Sequence, residues 1–240
     1  AEGWLACGVT GVGRLPEPQA IVEWLENKLC KTTELKGTTV LVTAGGTQEN
    51  IDPVRYIGNR SSGKMGYAIA EQAARMGANV ILVSAPTSLS VPSGVDFVSV
   101  DSALSMQEAV ESRYKDVDVV VMAAAVSDFR VLHKADQKIK KMESMTLELV
   151  KNPDILQGLG SHKEHQILVG FAAETEHVIK YGQDKVARKN LDMLVANDVS
   201  KSNAGFNVDT NEGYFLYPDK EPKEMPNMKK SELAQYIMKE

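Results

Sequence analysis

The side chains best placed to do chemistry are clustered cations. Lys138-Ile139-Lys140-Lys141 sets three ammonium groups within four positions, and Lys185-Val186-Ala187-Arg188-Lys189 sets three further cations within five. Lys185 and Lys189 stand four apart, so a helix would carry them on one side. One such run by itself is ordinarily a solvated face. Two runs in a chain of formal net charge −5 suggest a polyanionic ligand, provided that folding brings them to one place.

A second group of residues suits phosphate. Ala44-Gly45-Gly46-Thr47 is followed by Asp52-Pro53-Val54-Arg55 and then by Asn59-Arg60-Ser61-Ser62-Gly63-Lys64-Met65-Gly66, which opens a helix. Small residues at Ser61, Ser62 and Gly63 would let an anion reach the backbone N–H groups of the helix start, where the helix dipole favours negative charge. Capping by Ser61 or Ser62 accounts for the same residues equally well. Two nucleotide signatures fail here. The P-loop order of glycine, four residues and Gly-Lys-Ser/Thr is absent. A dinucleotide turn would be tight, whereas this connection runs from Ala44 to Ser62; Ser84-Ala85-Pro86 also stands where a ribose-binding acid would end the second strand.

Farther along, Met122-Ala123-Ala124-Ala125-Val126-Ser127-Asp128 joins small side chains to one carboxylate. A flat or phosphorylated ligand would lie against the alanines, and Asp128 would hold a ribose hydroxyl or a ligand-bound Mg²⁺ ion. Close packing of helix on sheet explains the alanines as well. His133, His162, His165 and His177 lack a partner set for a metal and read as surface histidines, and Cys30 as a half-buried thiol.

The elements that must position these residues alternate along the chain. A short apolar, β-branched run at 39–43 reads as a strand of the kind buried in parallel sheets, and further strands are expected at 79–83, 95–100, 117–123, 166–170 and 192–196. Helical spacing at 65–76, stopped by Gly77, and at 104–114 fills two of the intervals. The expected fold is therefore α/β: a Rossmann-like, doubly wound, mostly parallel sheet with helices on both faces. Such sheets bind ligands beyond the carboxyl ends of their strands, where strand order reverses. Two runs, 146–150 and 214–217, read as hairpin or edge strands projecting from that sheet.

At 240 residues one substantial domain with extra material is expected. Residues 1–36 differ from the rest, with a glycine-rich opening, a short amphipathic helix through Lys28 and a polar tether at 31–37; residues 37–240 form the main domain. The acidic balance argues against nucleic acid as a partner. No run approaches the length of a membrane span and no signal peptide opens the chain. Two cysteines, Cys7 and Cys30, make a disulfide framework improbable and a cytoplasmic location the expected one.

Six motifs carry a resemblance. They are Asp52-Pro-Val-Arg-Tyr-Ile through Asn59-Arg-Ser-Ser-Gly-Lys-Met-Gly, residues 123–128, Lys138-Ile-Lys-Lys, Lys151-Asn-Pro-Asp-Ile, Gly170-Phe-Ala-Ala-Glu-Thr, and Arg188-Lys-Asn-Leu-Asp through Ala196-Asn-Asp-Val. In order and content they resemble bacterial phosphopantothenoylcysteine synthetase from Thr38 to the C-terminus. The opening around Cys7 is similar to the tail of the FMN-dependent decarboxylase domain that precedes this ligase in a bifunctional protein, and Cys7 matches that domain's active-site cysteine. The FMN-binding body is missing, so decarboxylation is not expected of these residues.

The resemblance implies ligation of 4′-phosphopantothenate to L-cysteine through an acyl-cytidylate, with CTP consumed, Mg²⁺ as cofactor on its triphosphate, and pyrophosphate and CMP released. It places nucleotide contacts on Met122, Ala123, Ala124, Asp128, Lys138, Pro153, Asp154, Ile155, Leu156, Phe171, Lys185 and Lys189. It puts Lys138 on a flap serving cytidylation, gives Asn59 the task of holding the acyl-cytidylate for cysteine, and makes Arg55 a neighbouring catalytic arginine. It also implies a homodimer joined through strands at 146–150 and 214–217. Two rival readings stand beside it. Tyr181-x-x-x-Lys185 has the spacing of NAD(P)-dependent short-chain oxidoreductases, and a catalytically inactive regulatory relative would retain the fold alone.

Overall fold

Residues Val40 to Ala44 are buried without exception. A strand reads this way only when both faces of its sheet are covered. The computed structural model describes residues 31–174, 176–198 and 208–240, together with 2–4, 10–12, 15, 17, 18, 21, 22 and 25. Cys7, Cys30 and much of the opening segment and its helix lie outside the described residues. Within that segment β1 (Glu2–Trp4) pairs antiparallel with β2 (Thr10–Val12); farther along, apart from the main sheet, β4 (Gln48–Asn50) pairs antiparallel with β5 (Tyr56–Gly58).

Among the described residues the main sheet has eight strands. In chain order they are β3 (Thr39–Ala44), β6 (Asn79–Ser84), β7 (Val95–Ser99), β8 (Val119–Met122), β11 (Ile167–Glu174), β12 (Met193–Asp198), β13 (Thr210–Leu216) and β14 (Lys223–Lys229). Their spatial order is β14-β13-β12-β11-β8-β3-β6-β7. The strands from β12 to β7 are parallel, and β13 and β14 extend the sheet antiparallel. The chain leaves β3 toward β6 and β7, then returns to β8 on the other side. The order therefore reverses between β3 and β8, and the crevice of such a sheet lies at their carboxyl ends.

Helices cover both faces, as expected. Leu41, Val120 and Leu168 pack with Met106 of α2 (Ala103–Glu111), Leu159 of α3 (Ile155–Ser161) and Val186 of α4 (Val178–Arg188). Val40, Val42 and Val121 pack on the opposite face with Ile69 of α1 (Lys64–Arg75) and Leu233 of α5 (Lys230–Ile237). Each large apolar side chain fully buried in these layers stabilises the fold by about 1.5–3 kcal/mol. Gly66 lets α1 approach closely: a Cβ there would meet Ala44 Cβ at 2.6 Å and Thr43 O at 2.7 Å. The start of α1 is thereby held over the tip of β3.

Three expectations need correction. The segment at 31–37 is not a loose tether, because Thr32 N and Leu35 N donate to the carbonyls of Arg75 and Met76 at 2.9 Å each and so satisfy groups that a helix end leaves unpaired. The strand expected at 95–100 forms as β7, whose residues are largely exposed because it is the sheet's edge. The run at 146–150 contributes only to β10 (Leu149–Lys151), which pairs with β9 (Phe129–Val131) apart from the main sheet. The run at 214–217 does not project: β13 lies between β12 and β14, with both hydrogen-bonding edges occupied. The outer strand, β14, carries Pro226, which an edge tolerates and a period-two reading obscures.

Candidate nucleotide-binding site

Beyond Met122 the chain continues across the switch point. Ala125 N donates to Gly45 O at 2.8 Å, Thr47 N donates to Ala125 O at 3.2 Å, and Gly46 and Ala125 form a parallel bridge. Thr43 Oγ1 accepts from Ala124 N at 3.1 Å, and Thr47 Oγ1 from Ser127 N at 2.9 Å. These bonds fix the small residues after β8 as the floor of two adjoining cavities, of 370 and 380 Å³. Ala124, Val126, Asp128, Phe171 and Lys185 line both, so the two form one crevice at the strand tips.

One side of the crevice carries Met122, Pro153, Asp154, Ile155, Leu156, Arg188 and Lys189. Arg130 holds that side together by donating to Lys151 O at 3.0 Å and Asn152 Oδ1 at 3.1 Å, while Asn152 Nδ2 donates to Ser127 O at 2.8 Å. Asp154 caps α3 by accepting from Gln157 N at 3.0 Å. Lys185 is paired with Glu174 at the tip of β11, Nζ to Oε1 2.5 Å, and Lys189 with Asp154. Burial pushes the Asp154 carboxyl up, but the Lys189 hydrogen bond, the Gln157 N–H and the charges of Lys189 and Arg188 outweigh it and hold it below the usual carboxylate range.

The other side carries Ala123, Asn59, Ser61, Ser62, Gly63 and Lys64. Asn59 Nδ2 reaches across the crevice to the carbonyls of Ala125 and Val126, at 3.4 and 3.3 Å. The N-cap of α1 is Gly63, with φ 77°, and it has no side chain to cap with. Ser61 Oγ accepts from Gly63 N at 3.3 Å, so Ser61 shapes the approach to the helix and is not its cap. Lys64 forms an ion pair of 2.6 Å with Asp209. Asn211 and Lys230 also line this side, and nothing in their local sequence marked them: β13 and α5 bring them in.

Arg55 and Lys138 are not brought into this crevice. They line a separate cavity of 480 Å³ together with Ile139, Lys140, Lys141, Met142 and Met145. The two basic runs thus do not share one cavity, and only the run at 185–189 meets the residues after β8. Tyr181 lines neither half of the crevice; it is exposed, with its ring edge-on to His177, and the ammonium of Lys185 is engaged by Glu174. The oxidoreductase spacing therefore does not form a catalytic pair here. Among the described residues no group of three or more His, Cys, Asp or Glu is placed to hold a metal, and no helix is long and apolar enough to cross a membrane.

Residues 35–240 match the family described as the DNA/pantothenate metabolism flavoprotein C-terminal domain. The chain belongs to this family. It is 48% identical, over 244 aligned positions, to the coenzyme A biosynthesis bifunctional protein CoaBC of Bacillus subtilis (strain 168), an alignment covering 100% of this chain and 60% of that protein. The corresponding protein of Escherichia coli (strain K12) is 44% identical over the same shares. The chain thus spans 60% of the length of the bifunctional relatives it matches. A crystal structure of the C-terminal domain of a CoaBC protein superposes with a TM-score of 0.75 at 44% identity, covering 87% of this chain and 95% of that one. A Cab2 mutant in complex with phosphopantothenate-cysteine shares the fold, with a TM-score of 0.64 at 18% identity, covering 93% of this chain and 92% of that one. The family and the mostly parallel α/β fold expected from the sequence are both borne out.

Proposed function

We propose that this protein joins 4′-phosphopantothenate to L-cysteine in coenzyme A biosynthesis, using CTP. The observation that carries the reading is the single crevice at the strand tips, in which Lys185, Lys189 and Asp128 face the small residues after β8 while Asn59 closes the far side. The names of the bifunctional relatives and the phosphopantothenate-cysteine complex of the Cab2 fold-mate support the same substrate class.

A carboxylate resists amines because its charge repels the nucleophile and oxide is a poor leaving group. Cytidylation removes both obstacles. A carboxylate oxygen of phosphopantothenate attacks the α-phosphorus of CTP and pyrophosphate leaves; the cysteine amine then attacks the acyl carbon, loses a proton, and CMP leaves. Both steps crowd negative charge, and each charge-assisted hydrogen bond to it contributes about 1.5–3 kcal/mol. Met122, Ala123, Ala124, Pro153, Asp154, Ile155, Leu156 and Phe171 would seat the nucleoside, and Lys185 and Lys189 its phosphates. The Glu174 and Asp154 carboxylates hold those lysines in the free protein, so the triphosphate binds by exchanging partners. Mg²⁺ arrives as part of the nucleotide substrate, and Asp128, which lines both halves of the crevice, is the carboxylate placed to meet it.

In this reading Lys138 and Arg55, which line a separate cavity in the free protein, serve cytidylation when the mobile flap closes on the nucleotide, Asn59 holds the acyl-cytidylate for cysteine, and the start of α1 at Ser61, Ser62 and Gly63 takes the substrate phosphate. The protein works as a homodimer in the cytoplasm. FMN and the step served by Cys7 belong to the decarboxylase part of the bifunctional protein. Pyrophosphate release on mixing the protein with phosphopantothenate and Mg-CTP, before cysteine is added, tests the assignment. No release, with CTP binding retained, would mark the protein as an inactive relative.

A further inference from the structure

Among the described residues, one carboxylate outside the crevice has no exposed surface: Asp52. A buried charge costs stability unless hydrogen bonds replace its water. Asp52 has four donors. Oδ1 accepts from Val54 N at 2.8 Å and from Arg55 N at 2.9 Å, in the side-chain turn that an aspartate before proline favours. Oδ2 accepts from Arg55 Nη1 at 3.0 Å and from Ile139 N at 3.1 Å. Arg55 in turn donates from Nη1 and Nη2 to Ile139 O, at 3.5 and 3.4 Å. Nearby, Ala135 N donates to Ile51 O at 2.9 Å.

Both backbone groups of Ile139 are therefore held by an ion pair that the chain formed more than eighty residues earlier. Burial alone would push the Asp52 carboxyl up, but the N–H groups of Val54, Ile139 and Arg55 and the Arg55 charge outweigh it and keep it ionised at neutral pH. The N–H of Ile139 belongs to the planar peptide that joins it to Lys138. Holding that plane sets the direction in which Lys138 leaves the backbone. The proximity of Arg55 and Lys138 in one cavity has the same origin.

We infer that Asp52 is a positioning residue: together with Arg55 it pins the flap at Ile139 and so fixes where Lys138 presents its ammonium group. This rests on the reading of Lys138 as the cytidylation cation. The sequence hints at it only afterwards, since the spacing of Asp52 and Arg55 looks purely local until residue 139 is seen to bridge them. An asparagine at position 52 keeps one acceptor oxygen but has no second oxygen or charge to offer four donors.

The test compares wild type, Asp52→Asn and Asp52→Ala in the full chain by amide hydrogen exchange, thermal unfolding and the kinetics of pyrophosphate release. In Asp52→Asn, exchange at residues 136–142 should quicken by about tenfold or more while the amides of β3 and α1 stay protected. The kcat of pyrophosphate release should fall about 10- to 100-fold with little change in KM for CTP. Asp52→Ala should do the same more strongly; if it does not fold, the asparagine variant decides. Unchanged exchange at 136–142 overturns the inference, and so does faster exchange with an unchanged kcat, because the flap would then be released without consequence for Lys138. If wild type releases no pyrophosphate, the ligase reading fails, and the exchange comparison still decides whether Asp52 pins the flap.

Discussion

Lys189 Nζ lies 2.9 Å from Asp154 Oδ1 and 2.8 Å from Asp154 Oδ2, which ties the C-cap of α4 to the N-cap of α3 on one side of the crevice. One ion pair thus orients a proposed phosphate-binding lysine and holds the start of α3 against it. The cation is held in place before the ligand arrives, at the cost of a carboxylate that the ligand must displace.

Acid should release this tie. The Asp154 carboxyl is depressed in the fold, so its contribution to stability is fully present above the unfolded aspartate value of about 3.9 and is lost as pH falls below that toward the folded value. Thermal unfolding followed downward from about pH 5 should show Lys189→Met starting less stable and losing less on acidification than wild type. Parallel curves for the two proteins would mean that Asp154 does not sense Lys189.

Lys185→Gln should weaken CTP binding by about tenfold or more, because it removes a charge and leaves Glu174 without its cation at the tip of β11. Lys185→Gln combined with Glu174→Gln should recover part of the loss, since the unpaired carboxylate no longer repels the triphosphate. Calorimetric titration with Mg-CTP measures both. Equal losses in the single and double variants would remove Glu174 from the account.

The two proposed chemical steps should separate by mutation. Lys138→Gln should abolish pyrophosphate release, whereas Asn59→Asp should release pyrophosphate, accumulate acyl-cytidylate and slow its conversion by cysteine. Quenched-flow analysis of the nucleotide products distinguishes the two, and normal turnover in either variant contradicts the role assigned to it.

Gly160→Ala should destabilise the protein by about 1–3 kcal/mol through overpacking. A Cβ at this position in α3 would run into the carbonyl oxygen of Lys189 and come within 3.5 Å of Asn190 Cβ. CTP affinity should fall as well, because the clash displaces the backbone that carries Lys189. Denaturant unfolding with calorimetric titration checks both effects, and a variant of wild-type stability would mean that the helices separate at little cost.

Much of the fold was legible in the chain itself. Runs such as Thr39-Val40-Leu41-Val42 announce parallel strands because a strand covered on both faces must be apolar on both. Lys185 and Lys189 announce a shared helix face because their spacing is that of one turn. Charge, length and the alternation of elements bounded the class, and motifs in a fixed order indicated the family.

Tertiary structure alone decided the rest, because sequence spacing encodes neighbours along an element and not neighbours across a sheet. It separated Lys138 from Lys185, although the two runs look alike. It brought Asn211 to the crevice on β13, which runs antiparallel beside β12, and Lys230 at the start of α5. It also turned Asp52 from a local turn residue into an anchor for Ile139, since a charge with no water must find its donors wherever the chain places them.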